Sequence, residues 1–246
     1  LENYKQKKFK NEELDLKNFE RSKKFTFLCS EEEIKKYEFI FFCYDTPINV
    51  NSGKPNISLI DKYLKKLTSI QFEKKTYIFI TSQVYPGYTK KKLKKISNKK
   101  INLIYMVDTL IMGIANKRFF HPEQIILGSN NDINKQKINK FFKHFKCPKY
   151  FFSLEEAELI KVSINMFLFF SVSFANMIDE FGKNLNINFS KINNILKNDK
   201  RIGNKAYINP SIGISGGHLE RDLFYFLSKS NNHLAKNIIK TLFKFN

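Results

Sequence analysis

The chain has 246 residues, 43 Lys and Arg against 23 Asp and Glu, a formal net charge of +20, and 26 Phe with no Trp. That length supports one large domain, or a domain plus a helical subdomain, around a sizeable core. The basic excess is lysine scattered among Asn, Ile and Phe, with no Arg-rich element, no RNA-binding aromatic pair and no Cys/His zinc spacing, so neither nucleic acid nor a metal is expected; lysine drift, an anionic partner and a phosphate-bearing small molecule each fit the charge.

Residues 1–24 are mostly Lys, Glu and Asn, and read either as a solvated arm or as a short element left from an interrupted domain. FTFLC (25–29) is a strand candidate, and SEEEIKKYE (30–38) an N-capped helix or turn. FIFFCY (39–44) is a continuous apolar run of the kind found in the middle of a parallel sheet. A helix is expected over 57–70, a buried strand at 77–81, a basic helix at 89–97 and a strand at 101–107. After a loop from Asp108 to Glu123 come a strand at 124–128, a helix at 132–144 and a strand at 147–153. This alternation predicts an α/β fold: a partial Rossmann-like, mostly parallel sheet covered by helices, with ligands beyond the carboxyl ends of the strands.

The stretch from Ser153 to Gly182 then predicts one long helix, opened by a capping box of Ser153 and Glu156 and stopped at the glycine. Its apolar residues fall on nearly every face, which predicts a helix buried all round. Glu158, Lys161 and Asn165 share one face and are expected to point into a cleft. The apolar run from Ile164 to Ile178, broken by Asn165 and Asn176, is short for a membrane span, so a core helix with no membrane partner is expected. A helix at 187–199, a loop to Ser215 and one or two helices between Asp222 and Lys244 complete the chain. Cys29, Cys43 and Cys147 form no CxxC and read as buried thiols in a reducing, cytoplasmic compartment; the charged N-terminus has no apolar leader.

Three clusters look like chemistry. Asp45-Thr46-Pro47 and Ser82 to Gly87 each close a buried strand, where turn chemistry alone is the bland reading. Asp199, Arg201 and Gly203 make either an ordinary loop ion pair or a clamp for phosphate or carboxylate. GISGGHLERD (213–222) combines three glycines with His218, Glu220, Arg221 and Asp222; His218 is either a general base or a loop histidine. No P-loop, hydrolase elbow or GxGxxG is present.

In this order the motifs resemble the UDP-glucose/GDP-mannose dehydrogenase family, whose members use NAD to oxidise the C6 alcohol of a nucleotide sugar to a carboxylate and so serve polysaccharide biosynthesis. The similarity runs from about Phe25 to Leu227. FIFFCYDTP and TSQVYPG resemble the family's two cofactor loops, which implies NAD contacts at Thr46, Pro47, Ser82 and Gln83. Asp108 stands where the family has the Glu of a Pro-Glu loop. AELIKVSINMFLFFSVSFANM is similar to the central helix, so that Lys161 and Asn165 are implied to stabilise the oxyanion and hold a water. NDKRIG resembles the segment whose Arg, here Arg201, reaches the sugar. The glycine loop places Gly213, Gly216 and Gly217 at the substrate, His218 at the nucleophilic Cys and Arg221 at a Lys assigned to the cofactor side, while Asp222 is kept.

The resemblance implies a charged arm over 1–24, an incomplete NAD-binding domain over 25–152 and a central helix with a helical dimerisation domain over 153–246. The family's GxGxxG unit and C-terminal UDP-binding domain have no counterpart, and a sheet without its first strands would leave an apolar edge to cover. The implied activity is NAD-dependent oxidation of a UDP- or GDP-linked hexose by a homodimer joined through the central helix. An imidazole is a poor substitute for the thiol in the second oxidation, so the alternative is an inactive relative that dimerises or binds a nucleotide sugar.

Overall fold

The computed structural model describes residues 30–49, 55–111, 113–130, 133–213 and 217–246, apart from the side chains of Glu31 and His218. The charged arm, the strand expected at 25–29, Cys29 and Gly216 lie outside the described residues. The chain divides into two compact units, one holding the chain up to Tyr44 and Leu59–Glu158, the other Asp45–Ser58 and Leu159–Asn246. These compact units part at Glu158, inside the long helix, and the segment after the first described strand goes with the helices.

The first unit is built on five strands, β1 (Phe39–Phe42), β2 (Thr76–Ile80), β3 (Ile101–Met106), β4 (Ile125–Gly128) and β5 (Lys149–Phe152), in the order β1-β2-β3-β4-β5. The pairs β1–β2, β2–β3 and β4–β5 are parallel, and β3–β4 is antiparallel. Between them run α1 (Glu31–Ile34), α2 (Ser58–Ser69), α3 (Tyr88–Leu93), α4 (Ala115–Phe120) and α5 (Lys135–Phe141). Continuous apolar runs fill β2 and β4, every residue of which is buried, as a strand covered on both faces requires. Tyr77, Phe79, Ile104, Leu127 and Phe142 form the core of this unit.

Several local expectations shift. Within FIFFCY, β1 ends at Phe42 and is the outermost of the described strands, with Phe41 exposed and stacked on Phe79. Among the described residues, Phe39 stacks on Tyr77 and Phe141. The basic helix stops at Leu93, because charge repulsion along a lysine run adds nothing to a helix that buries only its first two residues. The loop after Asp108 contains the short α4. Cys43 is exposed and Cys147 half-buried, so neither is the buried thiol expected; both are free.

The second unit is helical: α6 (Leu154–Asn184, whose first residues belong to the first unit), α7 (Phe189–Asn198), α8 (Gly217–Lys229) and α9 (His233–Phe245). The capping box forms as expected, Ser153 N donating to Glu156 Oε2 at 2.8 Å and Glu156 N to Ser153 Oγ at 3.3 Å. The helix runs through Gly182 to Asn184 and ends where Asn186 takes a positive φ of 58° and Ile187 N returns to Gly182 O at 2.8 Å. Phe169 packs with Leu223 of α8 and Ile239 of α9, and Ala175 with Phe189 of α7 and Ile208.

α6 is not buried all round. Phe167, Phe170, Phe174, Met177 and Phe181 are exposed, and their spacing of 3, 4, 3 and 4 residues makes one straight stripe. The helix also has the length and apolar content of a membrane span, contrary to the estimate from its longest run. Its Asn165 and Asn176 side chains are nevertheless hydrogen-bonded to α8 and to Asn246, the pattern of a helix packed within protein.

Candidate active site

In the helical unit, Asn165 of α6 donates through Nδ2 to Oδ2 of Asp222 in α8 at 2.7 Å, across 57 residues of sequence. Both side chains are buried. A carboxylate with no exposure needs donors around it, and an amide is a donor that leaves its charge intact. Lys161 lies one turn before Asn165 and is half-buried, and His218 lies one turn before Asp222. The two helices thus bring the expected Lys161, Asn165 and Asp222 into one unit, with the polar pair at their crossing.

Arg221, 1% exposed, points the other way. Its Nη1 donates to the Thr46 carbonyl and hydroxyl and, at 3.0 Å, to Asp45 Oδ1. Asp45 is itself 74% exposed and also accepts from Thr46 N at 2.7 Å. The segment after β1 is folded back by a bridge between Ile48 and Pro55 and by Asn56 N donating to Pro47 O. Arg221 therefore clamps the Asp45-Thr46 turn by its backbone, burying Thr46 while Pro47 stays exposed.

In the sheet unit, β1 and β2 end in register, Phe42 beside Ile80. Thr81 N donates to Phe42 O at 3.1 Å, and Ser82 Oγ lies 3.4 Å from the same carbonyl. Ser82 and Gln83 are buried at this carboxyl edge, where a doubly wound sheet takes its ligand. Both offer hydrogen-bonding side chains beside parallel strand ends, so the residues fit a dinucleotide laid on this edge. Asp108, half-buried after β3, accepts from Leu110 N at 2.9 Å and shapes its own turn.

Glu158 departs from the sequence reading. It is fully buried, and its two carboxylate oxygens accept from Gly87 N at 2.5 Å and Thr89 N at 2.8 Å. Burial raises its pKa above the usual glutamate value, with the Thr89 and Gly87 hydrogen bonds pulling against that. Spacing alone put Glu158 on a face with Lys161 and Asn165; only the fold reveals that Gly87, a helix start with no side chain of its own, takes its cap from 71 residues away. Tyr88 is tied beside it, donating to Asp61 Oδ1 at 2.6 Å. Burial of Asp61 pushes its pKa upward, but hydrogen bonds from Lys92 and Tyr88 more than offset that and leave it below the usual value.

The expected substrate residues are dispersed. Arg201 is exposed and forms a two-pronged pair with Asp199, Nε to Oδ1 at 3.0 Å and Nη2 to Oδ2 at 2.7 Å, the ordinary loop ion pair left open by the sequence. Gly213 has a φ of 133°, which favours glycine, and a Cβ there would fall 2.4 Å from Asn246 O. Gly217 opens α8, packed near Ile48. A cleft of about 610 Å³ between α8 and α9, lined by Leu223, Phe224, Leu227 and Phe243, takes in Glu220 of the glycine-loop cluster but not Lys161, Asn165, Arg221 or Asp222.

A mostly parallel sheet carrying polar turns at its strand ends, followed by a long helix and a helical unit, defines a dinucleotide-binding type of α/β protein. The chain belongs to the UDP-glucose/GDP-mannose dehydrogenase family: the family's NAD binding domain matches residues 3–146 and its central domain residues 155–246. The match thus starts inside the charged arm, upstream of Phe25, and reaches Asn246, beyond Leu227. The UDP-glucose 6-dehydrogenase of Campylobacter jejuni is 30% identical over 188 residues, 74% of this chain and 47% of that protein. The UDP-glucose 6-dehydrogenase of Rickettsia bellii is 25% identical, over 87% of this chain and 50% of that one. A UDP-glucose dehydrogenase structure from Pyrobaculum islandicum superposes with a TM-score of 0.76 at 21% identity, covering 87% of this chain and 52% of that one. The chain spans about half the length of each.

Proposed function

We propose that this chain carries out NAD-dependent oxidation at C6 of a UDP- or GDP-linked hexose. The observation that carries the reading is the buried hydrogen bond from Asn165 to Asp222. It fixes a carboxylate and an amide beside the helix face that holds Lys161, as alkoxide formation demands. When bound, NAD would supply the hydride acceptor, with Ser82 and Gln83 on the sheet edge as its contacts; Thr46, Pro47 and Arg221 are assigned to it by the family resemblance alone. The Lys161 ammonium stabilises negative charge on the C6 oxygen. Asn165 and Asp222 orient the hydroxyl or a water, and His218 takes the hydroxyl proton as the C6 hydride leaves. For the sugar side, Asp108, Arg201, Gly213, Gly216 and Gly217 are assigned by the family resemblance alone.

With His218 at the nucleophile position and no thiol in its place, the reading predicts an aldehyde as the product and one NADH per sugar. The exposed stripe of α6, an apolar seam in heptad spacing, supports a homodimer joined helix to helix. The free Cys43 and Cys147 suit a reducing cytoplasm, and the product class suits polysaccharide biosynthesis. The assay is NADH formation from UDP-glucose and GDP-mannose by wild type, D222N and H218A. A folded wild type with no turnover would favour the second reading, a non-catalytic dimer that binds nucleotide sugar, which the buried Asn165–Asp222 pair supports equally as a binding element.

A further inference from the structure

The start of α3 has no side-chain cap from its own turn. Gly87 stands at the start of α3 with a φ of 90° and no side chain to cap it, and Tyr88 N is satisfied within the turn by Tyr85 O. But for Glu158, the half-buried amide of Gly87 and the buried amide of Thr89 would lose their acceptor. The carboxylate comes from a rigid place. One residue earlier, Ala157 abuts Gly128 so closely that a Cβ on that glycine would lie 2.5 Å from the Ala157 Cβ, which locks the first turn of α6 to the end of β4. Lys90, in the same short helix, pairs with Glu155 one turn earlier on α6.

We propose that Glu158 is a positioning residue for the cofactor turn: its carboxylate sets the backbone from Ser82 to Gly87 by holding the Gly87 and Thr89 amides. This rests on the reading of Ser82 and Gln83 as NAD contacts. A fixed anchor removes the ordering that a loose turn would undergo on each binding event, so its worth appears in cofactor affinity. Two acceptor oxygens, one for each backbone amide, also explain why the position takes a glutamate despite its burial.

The test compares E158A and E158Q with wild type in the full chain. In E158A the Gly87 and Thr89 amides exchange hydrogen about tenfold faster and NAD dissociates about tenfold more readily, while kcat stays within about threefold. E158Q, keeping one acceptor oxygen, falls between and carries the test if E158A does not fold. Unchanged exchange at Phe79 of β2 certifies the fold. Unchanged exchange at Gly87 and Thr89, or faster exchange with NAD affinity intact, would overturn the proposal. A wild type that does not bind NAD, with both amides still released in E158A, would overturn the cofactor reading and leave Glu158 as the anchor of the turn.

Discussion

Asn165 Nδ2 and Asp222 Oδ2 lie 2.7 Å apart inside the helical unit, joining α6 to the helix that follows the glycine loop. Replacing Asn165 with Leu removes the donor and leaves a buried carboxylate with one fewer partner. The expected cost is about 1–3 kcal/mol of stability, read as a lower urea midpoint, with dehydrogenase activity down about 100-fold. D222N keeps the shape and costs less stability but the same activity. Equal activity in D222N and wild type would remove Asp222 from the chemistry.

Arg221 holds the Asp45-Thr46 turn by carbonyl, hydroxyl and carboxylate at once. R221M strips a buried guanidinium from acceptors that burial has cut off from water, and about 1–3 kcal/mol of stability goes with it. D45N, at an exposed partner, costs under about 1 kcal/mol. Chemical denaturation of both variants checks the order; a larger loss in D45N would make the ion pair, not the backbone clamp, the stabilising element.

At Gly128 there is no room for a side chain: a Cβ would meet Ala157 Cβ at 2.5 Å and Ser153 O at 2.9 Å. G128A is expected to cost about 1–3 kcal/mol through displacement of the start of α6. A melting temperature equal to wild type would mean the helix start yields freely.

Much of this was legible beforehand, and the misses share a cause. The run YIFIT, the capping box at Ser153 and the polar positions of α6 were readable because periodicity and caps are local. Family resemblance put Asn165 and Asp222 in one site, but their direct hydrogen bond was not legible. The turn clamp of Arg221 and the long-range cap from Glu158 were not legible, since each joins side chain to backbone across at least 69 residues and backbone acceptors leave no mark in sequence. FIFFCY was read too long, because an apolar run does not mark where the ladder stops: β1 ends at Phe42, and Cys43 and Tyr44 are exposed.

Stability should depend on pH through Glu158. Burial raises its folded pKa above the value of the unfolded chain, so its contribution is complete at pH below the usual glutamate value, about 4.3, and is lost as pH rises through the raised value. E158Q does not titrate there. The advantage of wild type over E158Q is therefore largest in mild acid and shrinks toward neutrality, measured as urea midpoints along a pH series. An advantage that grows with pH would mean the Gly87 and Thr89 amides outweigh burial.

The α6 stripe predicts association. Phe167 and Phe181 are 65% and 63% exposed at either end of it. Sedimentation of wild type should give a dimer, and F174E, with a charge at the centre of the seam, a monomer of unchanged helicity. A wild type that sediments as a monomer at all concentrations would leave the stripe without its partner helix.

The central claim is that Lys161, Asn165 and Asp222 support hydride transfer from a nucleotide sugar to NAD. The most direct measurement is the NADH yield from a limiting quantity of UDP-glucose or GDP-mannose, in wild type and in D222N. Wild type is expected to yield one NADH per sugar, with an aldehyde recovered, and D222N to form it about 100-fold more slowly. No NADH from folded wild type that still binds NAD, or rates indifferent to D222N, would contradict it.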